Sequence, residues 1–530
     1  MSTLWYNLRT AAAGARRFGR LVVFGFEQIV LSRLFERRKL AKTVTAALLR
    51  TKDIALPPPE LEVFNASGAV PNWSHGFNSV NAALFLNLRT AGDLSAGRHA
   101  LPAPAFRGVY LWDSAFIAQV WKWWDPEVAF DVLDAVVRGR DGDRLQHFIS
   151  EFAASDLTQP PLLAWSLARL DETAPRARFR VWAERHYDAL AAYHRWLQAH
   201  RRLADGTYAW AHAYESGVEN APRFGARDER ALRDTRQTGA PDLCAYMVLQ
   251  SEALAVLALS LDRPAEARTF YAMAGDVRAA TDAQLWCDDD GLYFDRDAGG
   301  RLRSRTVASL LPLWAGIPDE TQAARLVAHV LDPAQFNTLI PIPSVALSDR
   351  DFERDMWRGP VWINTAFAVI EGLRRYGYHD EATELAFRLC DGVYRTHHET
   401  GHFYEFYDPT ALGVKQLHRK RGNRWKRLTL GAGPVTDFVG WTGLVNTTLL
   451  EMLFGLHGSR DAPALQPRFP ERAAGWRFAL ALPVWDASVD LEVLPGRVTR
   501  GEIEHAGARR AFSAAFGEKV SFHAMEPAPA

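Results

Sequence analysis

Four stretches of this 530-residue chain set carboxylates among aromatic and turn-forming residues: RGVYLWDSAF (107–116), YESGVENAPRF (214–224), MWRGPVWINT (356–365) and HFYEFYDPTALG (402–413). Glu405 stands between Phe403, Tyr404, Phe406 and Tyr407, where partial desolvation can tune its protonation. Glu215 and Glu219 lie four residues apart, close to Arg223. Two acids brought from separate loops to one mouth could cleave a glycosidic bond. One protonates the leaving oxygen, and the other deprotonates a water or attacks directly. Aromatic faces stack on sugar rings, and Asp or Arg grips hydroxyls through charge-assisted hydrogen bonds. Each stretch also has a plain structural reading. Asp113 could cap a helix, Glu405 could edge an aromatic cluster, and Arg358-Gly359-Pro360 could simply lead into a helix.

The elements that must position these loops are mainly helical. Phe179, Trp182, Tyr187, Leu190, Tyr193 and Leu197 fall on one helical stripe, and Asp242–Leu259 is apolar almost all round, as a buried helix would be. A helix is expected from Pro360 to Gly377 and another over Phe438–Leu453. Helices arriving as pairs, with long loops between them, predict an α/α toroid: an inner ring inside an outer ring, with the loops at one mouth. Residues 53–73 have the proline and small-residue content of a linker or loop. After residue 458 the pattern alternates as strands do, in WRFALAL, ASVDLEVL and RVTRGEIEH, with Pro495-Gly496 as a turn. Three parts are therefore expected: a basic helical N-terminal arm and linker (1–75), a catalytic barrel (76–458) and a small C-terminal β appendage (459–530). The arm carries Arg16, Arg17, Arg20, Arg33, Arg37, Arg38 and Lys39 and reads as a helix packing on the body or on another subunit, or touching a membrane surface.

Lys plus Arg and Asp plus Glu both number 62, so no global field calls for nucleic acid. Cys244, Cys287 and Cys390 are too few and too scattered for a disulfide framework, which suits a reducing, cytoplasmic setting. His212, His402 and His418 lack metal-ligand spacing, and there is no glycine-rich phosphate loop, so no cofactor is expected. Eighteen tryptophans lean toward carbohydrate.

Read in order, the stretches resemble the clan of inverting α-glycosidases with an (α/α)6 barrel. That clan includes glycoside hydrolase family 63, the trehalases, and the mannosylglycerate and glucosylglycerate hydrolases. YLWDSAF is similar to its Trp-Asp-Ser/Thr motif, which implies that Trp112 and Asp113, with Tyr110 beside them, hold the non-reducing sugar. QPPLLAW places Gln159 near the same sugar. ESGVENAPRF resembles the motif carrying the general acid and implies that role for Glu219, with Glu215 and Arg223 at the substrate. MWRGPVWINT implies pocket roles for Trp357, Arg358, Gly359 and Trp362; FYEFYDPTALG implies Glu405 as general base; and FVGWTGLV places Trp441 nearby. The resemblance thus implies a small-glycoside hydrolase in which Glu219 is protonated and Glu405 ionised near neutral pH.

Two departures stand out. The clan's general acid is an aspartate, and the extra methylene of Glu219 shifts its carboxyl by roughly 1.5 Å. A misplacement of about 1 Å can lower a rate on the order of a hundredfold. Ala411 and Leu412 replace the glycine expected after Thr410. An insertion, HRKRGNRWKR (418–427), reads as a solvated loop or, near the mouth, as an attractor for an anionic aglycone; Arg223 is a second candidate for that task. The rival reading is a sugar-binding or regulatory protein that keeps the pocket and has lost catalysis. Epimerisation, which wants paired basic proton-transfer groups, has no evident residues.

Overall fold

In the computed structural model, residues 44–90, 97–150, 154–225, 234–420 and 430–523 are described. The basic N-terminal arm expected over residues 1–43 lies outside them.

Helical hairpins form the body. Leu111–Trp121 pairs with Pro126–Arg138, Pro241–Ser260 with Pro264–Leu285, and Ile363–Arg375 with His379–Thr400. Leu111–Trp121 is buried all round and Pro241–Ser260 nearly so, as helices surrounded by helices are, whereas Pro264–Leu285 and His379–Thr400 keep a solvent face; Pro126–Arg138 and Ile363–Arg375 are both mostly buried. The inner members pack in a closed circuit: Leu111–Trp121, Leu163–Ala168, Pro241–Ser260, the 3₁₀ turn Leu311–Leu313, Ile363–Arg375 and Leu444–Thr448, which returns to Leu111–Trp121. One place is thus held by a 3₁₀ turn, not an α-helix. The helix Pro241–Ser260 is long and apolar enough to cross a membrane, but it is 78% buried as an inner member of the toroid. The six-residue stripe seen in the sequence is buried within the outer helix Arg176–Arg201.

Two expected starts move. The helix after Arg358 begins at Ile363, with Trp362 as its cap, because Val361 is tied to Tyr407 by reciprocal backbone hydrogen bonds and cannot enter a helix. The helix expected from Phe438 begins at Leu444, because the N–H groups of Val439 and Gly440 donate to the Pro102 carbonyl.

The three expected C-terminal strands form, Arg477–Leu482, Ala487–Leu494 and Val498–His505, and Ala508–Ala514, beyond that expectation, joins them antiparallel in one sheet. The linker reading of 53–73 is corrected. Glu60–Asn65 is a fifth strand, in register with Arg477–Ala481 through Leu61 opposite Leu480 and Val63 opposite Phe478, and Gly68–Ala69 extends the edge. Leu61 and Val63 are fully buried. The outer helix Pro71–Asn87 starts directly afterwards.

Candidate active site

The loops that precede the inner helices meet over one cavity of about 110 Å³. Its lining includes Tyr110, Trp112, Asp113, Gln159, Glu219, Trp357, Trp362, Glu405 and Trp441. Trp357 stacks on Trp362 at 3.7 Å, and Trp112 and Trp441 pack around that pair. The Trp112 backbone N–H donates to Gln159 Oε1 at 3.0 Å, which fixes the start of Leu111–Trp121 to the Gln-Pro-Pro segment.

Three carboxyls share the cavity. Asp113 sits in the first turn of Leu111–Trp121, not at its cap, which is Tyr110. Burial pushes Asp113 up to about 8 against the pull of its backbone hydrogen bond, and the charges of Glu405 and Glu219 add to the rise. Burial likewise raises Glu405 above the ordinary carboxylate value, opposed by the Arg419 guanidinium and the Val435 N–H. Both of those donors address Oε2, so Oε1 accepts no hydrogen bond from the described residues. The Glu405 carbonyl takes the Trp441 indole N–H at 2.9 Å, which holds the loop.

Glu219 follows Gly217, whose φ of +73° and contact with the Trp112 ring leave no room for a β-carbon. Asn220 then staples the Glu219 loop to the Trp357 loop. Its Oδ1 accepts from the Trp357 N–H at 2.9 Å, and its Nδ2 donates to the Asp355 carbonyl at 3.3 Å.

Four expected binding residues lie away from this lining. Glu215 is fully buried in a bidentate pair with Arg201, and Thr158 and Ala211 N–H groups also donate to it. It is a strut between the helix Arg176–Arg201 and the loop. Arg223 is buried against Asp242 and Asp295, which raise its affinity for a proton despite burial, so it has no surface to offer an anion. Arg358 donates to Glu353 at 3.0 Å and to the Asn220 carbonyl at 3.4 Å, behind the pocket. Gly359 donates its N–H to Ser344 at 3.0 Å, and a β-carbon there would run into the Glu353 carbonyl.

The start of the basic insertion is not solvated. Met356 N–H donates to the His418 carbonyl, and Arg419 N–H to the Ala432 carbonyl, so backbone bonds tie 418–419 to the mouth. Arg419 and Lys420 are both buried. Arg419 pairs with Glu405, while Lys420 Nζ lies 3.3 Å from Glu219 Oε1 and 3.2 Å from the Tyr214 hydroxyl. Lys420 also adopts φ +48°, a conformation that L-residues rarely take. Residues 421–427 of the insertion lie outside the described residues. Composition marked this run as basic but could not say that two of its cations turn inward. Phe106, His147, Met356 and Phe438 also line the cavity. Met356 and Phe438 sit at the edges of recognised motifs, whereas His147 carried no sequence signal.

A helical toroid whose loops gather carboxyls and tryptophans in one pocket has the equipment for sugar chemistry, and the chain is a glycoside hydrolase of the GH63 type. It belongs to the family of the mannosylglycerate hydrolase MGH1-like glycoside hydrolase domain, whose pattern matches residues 107–413. The mannosylglycerate hydrolase of one strain of Thermus thermophilus is 29% identical over 392 residues, 59% of this chain and 92% of that one. That of Rubrobacter radiotolerans is 27% identical over 315 residues, 48% of this chain and 70% of that one. The structure of the GH63 mannosylglycerate hydrolase from another strain of Thermus thermophilus, in complex with glucose, has 26% identity and a TM-score of 0.57, covering 69% of this chain and 98% of that one.

Proposed function

We propose that the chain hydrolyses an α-glucosidic or α-mannosidic bond of a small glycoside with inversion, Glu219 acting as general acid and Glu405 as general base. The observation that carries this reading is that these two residues, from distant loops, line the same tryptophan-walled cavity. Glu405 Oε1 is the oxygen left for a water, because Oε2 already holds Arg419 and Val435. The cation beside Glu405 favours the charged form that a base must have, against the burial that opposes it. Asp113, holding its proton near neutrality, donates a hydrogen bond to a sugar hydroxyl. Trp357 and Trp362 offer stacking faces.

Lys420 points to the aglycone. An ammonium beside a carboxyl stabilises its charged form, whereas a general acid must hold a proton. An anionic aglycone that draws Lys420 away from Glu219 would let Glu219 take up its proton only when the right substrate is present. The related protein named for mannosylglycerate has also been crystallised with Tris and D-glycerate, which makes a carboxylate-bearing aglycone the first to try. Three free, buried cysteines suit a reducing compartment.

The test is a hydrolysis screen over mannosylglycerate, glucosylglycerate, trehalose and α-glucobioses, with the first-formed anomer followed by proton NMR. Inversion is the expected outcome. A retained anomer, or full activity in Glu405→Gln, overturns the assignment.

A second reading, a sugar-binding protein with impaired catalysis, has its own support. Glu219 replaces the clan's aspartate, both carboxylates face cations, and about 110 Å³ is below the roughly 300–1,000 Å³ of typical ligand sites. Glu219→Asp separates the two: a marked gain in turnover identifies an impaired enzyme, and silence with saturable saccharide binding identifies the binder.

A further inference from the structure

A second cavity, of about 890 Å³, opens at the other end of the toroid, where the inner helices finish. The ends of Pro241–Ser260 and Ile363–Arg375 form one wall, and the segment from Gly458 to Arg468, leading into the sheet, forms another. None of the catalytic candidates reaches it.

Four carboxylates, four arginines and His379 line it. Glu172 is matched by Lys122 and Arg169, Glu252 by Arg278 and Arg375, and Glu371 by Arg374, while Asp171 feels the charge of Arg176. Arg468 has no carboxylate partner among the described residues. It is 8% exposed, one Nη bonds only to Gln466, and its buried Nε has no partner. A buried guanidinium without a counter-charge is costly. Its nearest charged influence makes matters worse: after burial, Arg374 is what lowers its proton affinity. Arg374 also has a buried Nε without a partner. His379 opens the helix His379–Thr400 with a buried, unpartnered Nδ1, and its proton affinity is lowered by burial first and then by both arginines. Three nitrogen-bearing groups thus line one space, and of the two arginines only Arg374 pairs with an acid; the helix that His379 opens already carries Asp380 and Glu381 in its first turn.

We propose that this cavity is an anion site for the phosphoryl group of a small phosphorylated metabolite, held by Arg468, Arg374 and His379. A phosphoryl group supplies several acceptor oxygens and matches guanidinium forks, which a single carboxylate fills less completely. Trp165 and Trp314 on the same wall give an apolar face for the rest of the molecule, and the volume lies within the range of small-molecule sites. The site is separate from the carboxylate cavity and does not depend on the hydrolytic assignment.

The experiment is calorimetric titration of the full chain, at low ionic strength, with inorganic phosphate and with glucose 6-phosphate. Saturable one-to-one binding is expected, tighter for glucose 6-phosphate because it also meets the tryptophan wall. Arg468→Met should weaken both by at least about tenfold, the size of one charge-assisted hydrogen-bond set. Lys420→Met, in the other cavity, should bind as wild type. If Arg468→Met does not fold, as judged by its melting curve, Arg374→Met is scored by the same criterion. The proposal is overturned by no saturation up to about 10 mM of either probe, by unchanged binding in the folded variant, or by loss of binding in Lys420→Met.

Discussion

Replacing Arg419 by methionine tests the ion pair at the heart of the site. Glu405 is almost completely buried, which raises its affinity for a proton, and Arg419 on Oε2 and the Val435 N–H oppose that rise. An opposite charge in contact lowers a carboxyl by about 1–3 pH units. Methionine keeps most of the apolar stem and deletes the charge, so the Glu405 titration should rise by that amount, equivalent to about 1.4 kcal/mol for each unit. The sign follows directly: a base that binds its proton more tightly is active only at higher pH. The acid limb of the kcat/KM profile should therefore move up by about 1–3 units, and at fixed pH on that limb the rate should fall about tenfold per unit. Arg419→Lys, which retains the charge but not the fork, should lie between. The assay is the pH profile on the best substrate from the screen. An unmoved limb in a folded Arg419→Met would refute the claim that this cation keeps the base charged. A faster variant at every pH would mean that Arg419 merely obstructs the pocket.

Lys420→Met should cut kcat/KM for a carboxylate-bearing glycoside by about tenfold or more while raising that for its uncharged counterpart, because Glu219 no longer faces an ammonium; equal losses on both would remove Lys420 from aglycone selection. Asp113→Asn should change the pH dependence of stability. Because burial raises Asp113 to about 8, the folded chain holds a proton that the unfolded chain releases above its ordinary value near 4, so wild-type stability declines as pH rises from about 4 toward 8. The melting temperature of the variant should gain on wild type across that window, by up to a few kcal/mol in free energy, and a constant difference would contradict the assignment. Glu215→Gln, which strips the charge from a buried bidentate pair, should destabilise the fold by about 3–5 kcal/mol with little change in sugar affinity for whatever remains folded.

The ring of helices was legible because burial leaves a period in the sequence. The stripe from Phe179 to Leu197 and the apolar run from Asp242 both describe how many neighbours a helix has. The pocket tryptophans and the pair Glu219 and Glu405 were legible because the motifs keep type and order. What escaped was direction. Glu215 and Glu219 look equally able on paper, yet one meets Arg201 at the end of a helix and the other turns over Gly217 into the cavity. Arg223 and Arg358 find acids contributed by other segments of the chain. Arg419 and Lys420 looked like any basic loop until the backbone bonds of His418 and Arg419 fixed where the run begins. The strand Glu60–Asn65 escaped because the prolines at 57–59 and the small residues after it give 53–73 the content of a linker or loop.

That strand also sets a timetable for synthesis. Glu60–Asn65 finds its long hydrogen-bonded neighbour only in Arg477–Leu482, and the inner circuit closes only when Leu444–Thr448 returns to Leu111–Trp121. On the ribosome, the early segment can dock on the helix Pro71–Asn87 as soon as that emerges, but its sheet edge must wait for almost the whole chain. An apolar edge left bare during that interval invites pairing with another nascent copy. Yield of the folded product should thus depend more on chaperone supply and elongation speed than on the final stability of the toroid.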